Sequence, residues 1–458
     1  MGENRLKILL IHPEISRTKY NFVGIIENEC LELEYISTIL KEKGHTVFLF
    51  DGQVEKGTVT AKIRKCNPDI VYVCGRTRQE NFMLEYCEEA KKIREEVITI
   101  IGGLHAQLCY ERMYKDFVDF ILTTFDIYKI LDIIDYCFNK RINLENIEGI
   151  CYNRAGFWHM NKQCAFDINK LPYPDRTYFY EHPDNYRYLE LEHSAWVRTA
   201  YCCPYHCNFC HRNRMNSGEY ICREIKDVVD EIENIKSNHI YIVDDDFLFD
   251  EDRLYEFIRL IKEKQINKKY ICYGRADFIA KNEELMSKLK EIGLYYVLVG
   301  LEAINDHQLT EYHKNSNVHN NVESIDICNK LGIRIMGMFI LDLDATVADF
   351  KTLYKWIKNH NLKHIAISIF TPEMGIETYD MYKDKLITNN PSHWDYLHLV
   401  AKPGKMSVKR YYFCYYQLLI KLFLRAKKEG VYDFIDYRDY ILSFIKNIFK
   451  MKRNNDDE

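Results

Sequence analysis

Nowhere in its 458 residues does this chain reach about 18 uninterrupted apolar positions, so no membrane-spanning helix is expected. The opening segment Met1-Gly-Glu-Asn-Arg-Leu-Lys-Ile-Leu-Leu-Ile-His12 has an apolar run too short for the core of a signal peptide, and Leu6 stands where N-myristoylation calls for Ser or Thr. Neither export nor lipid anchoring is expected. Positive charge is not in excess either: 63 Lys and Arg against 68 Asp and Glu give a formal net charge of −5, so nucleic acid is not expected as a partner. Internal repeats and low-complexity tracts are missing. So is a disulfide framework. The 16 cysteines are mostly scattered, many within apolar runs as at Cys74, Cys272 and Cys328, where a free thiol packs as a small hydrophobe. That usage suits a reducing, cytoplasmic setting. With 47% hydrophobic and 29% charged residues, the chain reads as globular and long enough for two domains with real cores.

One stretch breaks the scatter: Arg198-Thr-Ala-Tyr-Cys-Cys-Pro-Tyr-His-Cys-Asn-Phe-Cys210. Cys203, Cys207 and Cys210, spaced x3 then x2, supply three thiolates to a metal centre. A four-iron cube needs four ligands, so three would leave one iron open for chemistry. The alternative is a zinc knuckle with His206 or His211 as fourth ligand. No second Cys pair follows at zinc-finger spacing. Cys202 competes in principle as a ligand, but the x3 and x2 register uses Cys203.

Around this loop the chain alternates strand and helix patterns. Apolar runs at Lys7 to Ile11, Thr46 to Phe50, Asp69 to Val73, Ile98 to Ile101 and Val118 to Leu122 are separated by helical segments such as Cys30 to Lys43, whose Leu33, Ile36 and Leu40 share a face and whose stop is Gly44. Residues 1–140 therefore read as a doubly wound, Rossmann-like α/β domain with its ligand at the carboxyl ends of the strands. A linker follows over 141–193, with Gly149 to Tyr152 as a short strand and Leu171-Pro-Tyr-Pro-Asp-Arg176 held extended by its prolines. Six further βα units begin at Trp196 to Ala200, His239 to Val243, Tyr270 to Tyr273, Tyr295 to Gly300, Ile333 to Leu341 and His364 to Phe370. Six are too few to close an eight-stranded barrel, so residues 194–405 are expected to form a partial (β/α)6 TIM barrel. The cysteines follow its first strand. Residues 406–452 read as a helical C-terminal region whose aromatics, among them Tyr411, Tyr415, Phe434, Tyr437 and Tyr440, would cap the barrel mouth. The basic amphipathic end, Ile441 to Lys452, is the one segment that could touch a membrane surface, although membrane contact is not the expected reading.

Cys203-Pro-Tyr-His-Cys-Asn-Phe-Cys210 resembles the Cys-Pro-x-x-Cys-x-Phe-Cys loop of the radical S-adenosylmethionine (SAM) enzymes, with Cys202 where a Gly is common. The resemblance extends over 195–375. It implies a four-iron, four-sulfur (4Fe-4S) cluster on Cys203, Cys207 and Cys210, with SAM chelated at the open iron and split to a 5′-deoxyadenosyl radical. It also implies a SAM site that includes Phe209, Asp245 from Ile242-Val-Asp-Asp-Asp-Phe247, Arg275 from Tyr273-Gly-Arg-Ala-Asp277, and Glu302 from Val299-Gly-Leu-Glu-Ala303. Read without the resemblance, three adjacent acids are more often a solvated loop or a cap, and single acids or Arg are surface ion pairs. Ala303 replaces the usual Ser, and Asp342 and Asp344 stand where the family has a Gly-Leu-Pro-Gly turn. Thr371-Pro-Glu-Met-Gly375 matches the family's turn after strand six.

Pro68-Asp-Ile-Val-Tyr-Val-Cys-Gly-Arg-Thr77 and Ile101-Gly-Gly-Leu-His-Ala106 make the amino-terminal half resemble the cobalamin (B12)-binding domain that precedes this core in a large subfamily. By that resemblance Cys74, Thr77, Gly102 and Gly103 would line a corrin, although Gly-Gly is also an ordinary turn. The Asp-x-His-x-x-Gly signature of a cobalt-ligating His is absent, so His12 and His105 are expected to be structural or solvent-facing. Arg76 and Arg78 stand where small residues are usual, and would hold corrin amides or phosphate if the cofactor binds.

The two resemblances together imply a cobalamin-dependent radical SAM methyltransferase acting on an unactivated carbon of a small-molecule or peptide substrate, fed by an electron donor such as flavodoxin or ferredoxin. The other readings are a radical SAM rearrangement or ring contraction without methyl transfer, and a non-enzymatic zinc or iron-sulfur protein.

Overall fold

A computed structural model describes residues 5–16 and 26–434. The first domain is built on a seven-stranded sheet: β1 (Lys7–His12), β2 (Thr46–Asp51), β3 (Ile70–Cys74), β4 (Ile98–Gly102), β5 (Phe120–Leu122), β6 (Ile150–Arg154) and β7 (Phe157–Met160), in the order β2-β1-β3-β4-β5-β6-β7. The first five strands are parallel and covered on both faces, which explains their unbroken apolar runs. On one face Leu33, Ile36 and Leu40 of helix α1 (Leu31–Glu42) pack on Ile8, Leu10 and Ile70; on the other, Leu9, Ile11 and Val71 meet Ile63, Met83 and Ala90. The order reverses between β1 and β3, and the crevice at that switch point is where doubly wound sheets bind ligands.

The segment expected to be a linker does more than connect. Its first part supplies β6 and β7, an antiparallel hairpin that extends the first sheet beyond β5. Its second part carries Arg176, which is buried and joins both domains. The guanidinium pairs with Glu29 just before α1, and its other nitrogen donates to Trp196 O at 2.6 Å and Glu231 Oε1 at 2.9 Å. Arg223 holds the second oxygen of Glu231 at 2.6 Å, so the buried charges are balanced and hydrogen-bonded.

The second domain has six strands, β8 (Ser194–Val197), β9 (His239–Ile242), β10 (Lys269–Gly274), β11 (Leu294–Glu302), β12 (Arg334–Leu341) and β13 (His364–Ile369), all parallel and adjacent in chain order. β8 and β13 do not pair with each other, so the sheet is open. Its outer layer includes α2 (Ile225–Asn234), whose Ile225, Val228, Val229 and Ile232 are buried at helical spacing, and α3 (Val347–Asn359). Tyr241, Ile271, Tyr296 and Leu298 point the other way and pack with Leu31, Tyr35 and the linker's Phe166, Ile168 and Tyr188.

The last described helix is α4 (Val408–Lys428), and Phe434 beyond it packs against the inner cluster that holds Tyr241 and Tyr296. Tyr411 and Tyr415 enter the outer layer beside α3 and β13, where their hydroxyls donate to Asp342 O and Ile367 O, each at 2.9 Å. Burying a tyrosine requires a partner for its hydroxyl, and carbonyls at the β12 end and in edge strand β13 provide one. Tyr437, Tyr440 and the basic segment 441–452 lie outside the described residues. Among the described residues, no helix is long and apolar enough to cross a membrane.

Candidate functional site

The cysteine loop leaves β8 through a two-stranded ribbon, Ala200–Tyr201 with Ile221–Cys222. Asp244, just beyond β9, anchors that exit. Its carboxylate accepts the backbone N–H groups of Thr199 and Ala200 at 2.7 and 2.9 Å. Cys202 adopts a left-handed backbone, φ +66°, which accounts for the Gly common at this position, and its buried thiol faces Met215 O at 3.5 Å. It is therefore turned to packing. Asn208 ties the loop to the end of the helix Asp306–Glu311 that follows β11, its amide donating to Glu311 O at 2.7 Å, and Phe209 stands edge-on to Tyr312 with ring centroids 5.2 Å apart. Burial raises the Cys203 and Cys210 thiols to about 12, so as free thiols they are neutral and a metal must displace their protons.

The three acids after β9 have three different roles. Asp244 caps the loop exit, and Asp245 lies 3.0 Å from Arg212 Nε. Asp246 is buried with neither carboxylate oxygen partnered among the described residues. Burial pushes its pKa up to about 8, against the pull of Arg275 and Lys314. Asp245, which the resemblance places in the SAM site, is paired with Arg212. Asp246 is the open one. A buried carboxylate lacking a donor beside a cysteine loop fits a cationic amine, so the site suits the amino acid end of SAM.

Arg275, at the end of β10, is fixed from three sides. Its guanidinium lies 3.6 Å from the Tyr205 ring centroid, Nε donates to Asp277 at 2.9 Å and Nη2 to Lys314 O at 2.6 Å. Glu302 ends β11 in a left-handed conformation, φ +58°, and pairs with Lys314 Nζ at 2.8 Å. Gly300 makes room for that pair, since a Cβ there would lie 2.2 Å from Glu302 Oε1 and 2.8 Å from Lys314 Nζ. Lys314 was not foreseen. Its only sequence signal is a lone Lys twelve residues beyond Glu302.

Across the domain boundary, Cys74 ends β3 and Gly102 ends β4. Gly103 has φ +92°, and a Cβ there would lie 2.7 Å from Cys74 Sγ and 3.0 Å from Gly75 N. A Cβ on Gly102 would meet the Tyr72 hydroxyl at 2.0 Å. Close packing thus forbids side chains at Gly102 and Gly103, and the strand end stays bare beside Thr77, which opens a 3-10 turn. Bare backbone at the carboxyl ends of β3 and β4 fits a flat, bulky ligand such as a corrin. Of the two histidines near these strand ends, His105 is buried with Nε2 2.6 Å from Glu80, and His12 Nδ1 is 3.1 Å from Asp51. The two candidate sites face each other. The helix Leu104–Cys109 touches His211–Gly218, and burial together with the charges of Arg212 and Arg76 holds the His211 pKa well below the usual imidazole range. Arg78, lowered to about 10 by burial and by Arg76, feels Asp395 and Tyr396 of the second domain.

Two family models match the chain, the Radical SAM superfamily over 197–357 and the B12 binding domain over 29–125. Among curated proteins, it is 23% identical over 419 residues to the hopanoid C-3 methylase of Methylococcus capsulatus, covering 89% of this chain and 78% of that protein. Among solved structures, it resembles the cobalamin-dependent SAM radical enzyme OxsB, solved with aqua-cobalamin and SAM bound, with a TM-score of 0.64, 17% identity and 85% of this chain covered. The chain spans 56% of that OxsB chain. It also resembles the radical SAM methyltransferase TsrM from Kitasatospora setae, solved with tryptophan and a SAM analogue, with a TM-score of 0.66, 16% identity, and 82% of this chain and 76% of that one covered. At these identities the structures share the fold.

Proposed function

The chain belongs to the B12-binding radical SAM family, and from that premise we propose that it transfers a methyl group to an unactivated carbon of a small-molecule or peptide substrate. It is an enzyme whose cofactors are a 4Fe-4S cluster, SAM and cobalamin. Together these supply an electron to split SAM and a cobalt-borne methyl donor; the protein contributes binding, orientation and exclusion of water. Cys203, Cys207 and Cys210 would hold the cluster. Asp246 would accept the SAM ammonium, and Arg275, locked between Tyr205 and Lys314 O, would direct its guanidinium at a carboxylate. Lys314 keeps the Glu302 carboxylate aimed at the same end of the sheet, where ribose hydroxyls can donate to it. Cys74, Thr77, Gly102 and Gly103 would support the corrin opposite. Arg78 feels Asp395 and Tyr396, and His211 feels Arg76, each across the domain boundary.

The observation that carries this reading is the unpartnered, buried Asp246 beside the cysteine loop, opposite a strand end stripped of side chains at Gly102 and Gly103. Electrons would come from a flavodoxin or ferredoxin, in keeping with a cytoplasmic protein. The test is anaerobic reconstitution with iron, sulfide and cobalamin, followed by incubation with methyl-labelled SAM, reductant and candidate substrates. Labelled methyl in product, with 5′-deoxyadenosine formed and corrin retained through gel filtration, is expected. Deoxyadenosine with unlabelled product would turn the reading to rearrangement, and zinc without iron uptake would reject the enzyme reading altogether.

A further inference from the structure

His12, Cys30 and Asp51 come from three elements and meet at one point. His12 is the last residue of β1, Asp51 the last of β2 and its partner in register, and Cys30 the residue that precedes α1. Cys30 Sγ lies 3.2 Å from His12 Nδ1 and 3.1 Å from Asp51 Oδ2, and His12 Nδ1 lies 3.1 Å from Asp51 Oδ1. Among the described residues this is the one set of three His, Cys, Asp or Glu donor atoms that all lie within 4.8 Å of one another.

Two features set the cluster apart from ordinary packing. Cys30 occupies the N-cap of α1, a position that favours Ser, Thr, Asp or Asn, yet its thiol makes no capping bond and turns to His12 and Asp51 instead. A local rule broken without local gain points to another use of the side chain. Asp51, for its part, is fully buried, and among the described residues its only ion-pair partner is His12. Its other contacts are neutral: the Cys30 thiol, the Tyr186 hydroxyl at 3.0 Å and the Gln53 N–H at 3.0 Å. A dication would balance Asp51 and a Cys30 thiolate together.

We propose that His12, Cys30 and Asp51 form a second metal site, separate from the cluster loop, that takes one divalent ion of the zinc class. One imidazole nitrogen, one sulfur and one carboxylate oxygen form a mixed set that suits zinc and not magnesium or calcium. On binding, the Cys30 S–H bond breaks, its proton leaves to solvent and the sulfur takes the metal; no electron moves. Tyr186 and the Gln53 N–H remain on Asp51. The His12 side chain is 20% exposed, which gives the ion an entrance and a water as its fourth ligand. The bound ion would tie the start of α1 to the ends of β1 and β2, on the β2 side of the switch-point crevice.

The test uses the full chain with its cluster already reconstituted, so that the loop cysteines are occupied. Zinc per chain is measured after equilibration and desalting, and cobalt(II) is added to a second sample to read thiolate-to-metal charge transfer. One extra equivalent and a charge-transfer band are expected in the wild type. Cys30→Ser and His12→Gln should each weaken binding by about 100-fold or more while cluster iron stays constant. Cys222→Ser, at an exposed cysteine outside the site, should change nothing. A wild type that takes up no ion beyond the cluster, or a Cys30→Ser protein that keeps both the equivalent and the band, overturns the proposal.

Discussion

Asp246→Asn should stabilise the protein without SAM and weaken SAM binding, two opposite effects of one neutralised charge. The folded protein raises the Asp246 pKa to about 8, chiefly by burial, against about 3.9 in an unfolded chain. The fold therefore favours the protonated carboxyl. Stability from this group is full below about pH 4 and is lost as pH rises through about 8. Each unit between those limits costs roughly 1.4 kcal/mol, and the loss flattens near the folded pKa. Between about pH 6 and pH 8 the wild type should lose about 2 kcal/mol that Asp246→Asn does not. Denaturant midpoints of the two proteins at both pH values, without SAM, measure that difference, and other titrating groups cancel because they are common to both. SAM then reverses the order, because its ammonium gives the ionised carboxylate the partner it lacks. Affinity should fall about 100-fold in Asp246→Asn, corresponding to ~2–3 kcal/mol for a charged hydrogen bond. Midpoints that fall equally steeply with pH in both proteins, or SAM affinity unchanged in the variant, would refute the reasoning.

Cys203→Ala should leave the protein unable to retain cluster iron after reconstitution, whereas Cys202→Gly, which suits φ +66°, should retain it; iron and sulfide content separate the two. Gly103→Ala places a Cβ against Cys74 and Gly75 in a left-handed backbone, so it should cost about 1–3 kcal/mol and release corrin on gel filtration with cluster iron unchanged. Arg176→Met strands Glu29 as a buried charge, while Glu231 keeps Arg223, and should lower unfolding free energy by about 3–5 kcal/mol, read from denaturant midpoints. Lys314→Met frees the Glu302 carboxylate from its buried cation, and SAM affinity should drop while iron content holds.

The parallel strands of both sheets and the cysteine loop are legible in the chain alone. Strands buried on two faces must be continuous apolar runs, and a cluster loop draws its ligands from eight consecutive residues, so both are legible without knowing what lies nearby. What lay beyond local reach was the assignment of roles. Asp244, Asp245 and Asp246 are adjacent and chemically identical; what distinguishes them is Thr199 and Ala200 some 45 residues back, Arg212, and the lack of any donor. Lys314 faces Glu302 because β11 ends in a left-handed turn past Gly300, which no motif announces. His12 meets Asp51 through strand register, and Arg176 is charged in a segment read as connecting chain yet is buried between the domains. Hydrophobic period and ligand spacing are properties of neighbours along the chain, whereas the state of a buried charge depends on which distant groups face it. Those groups meet only when the chain is folded.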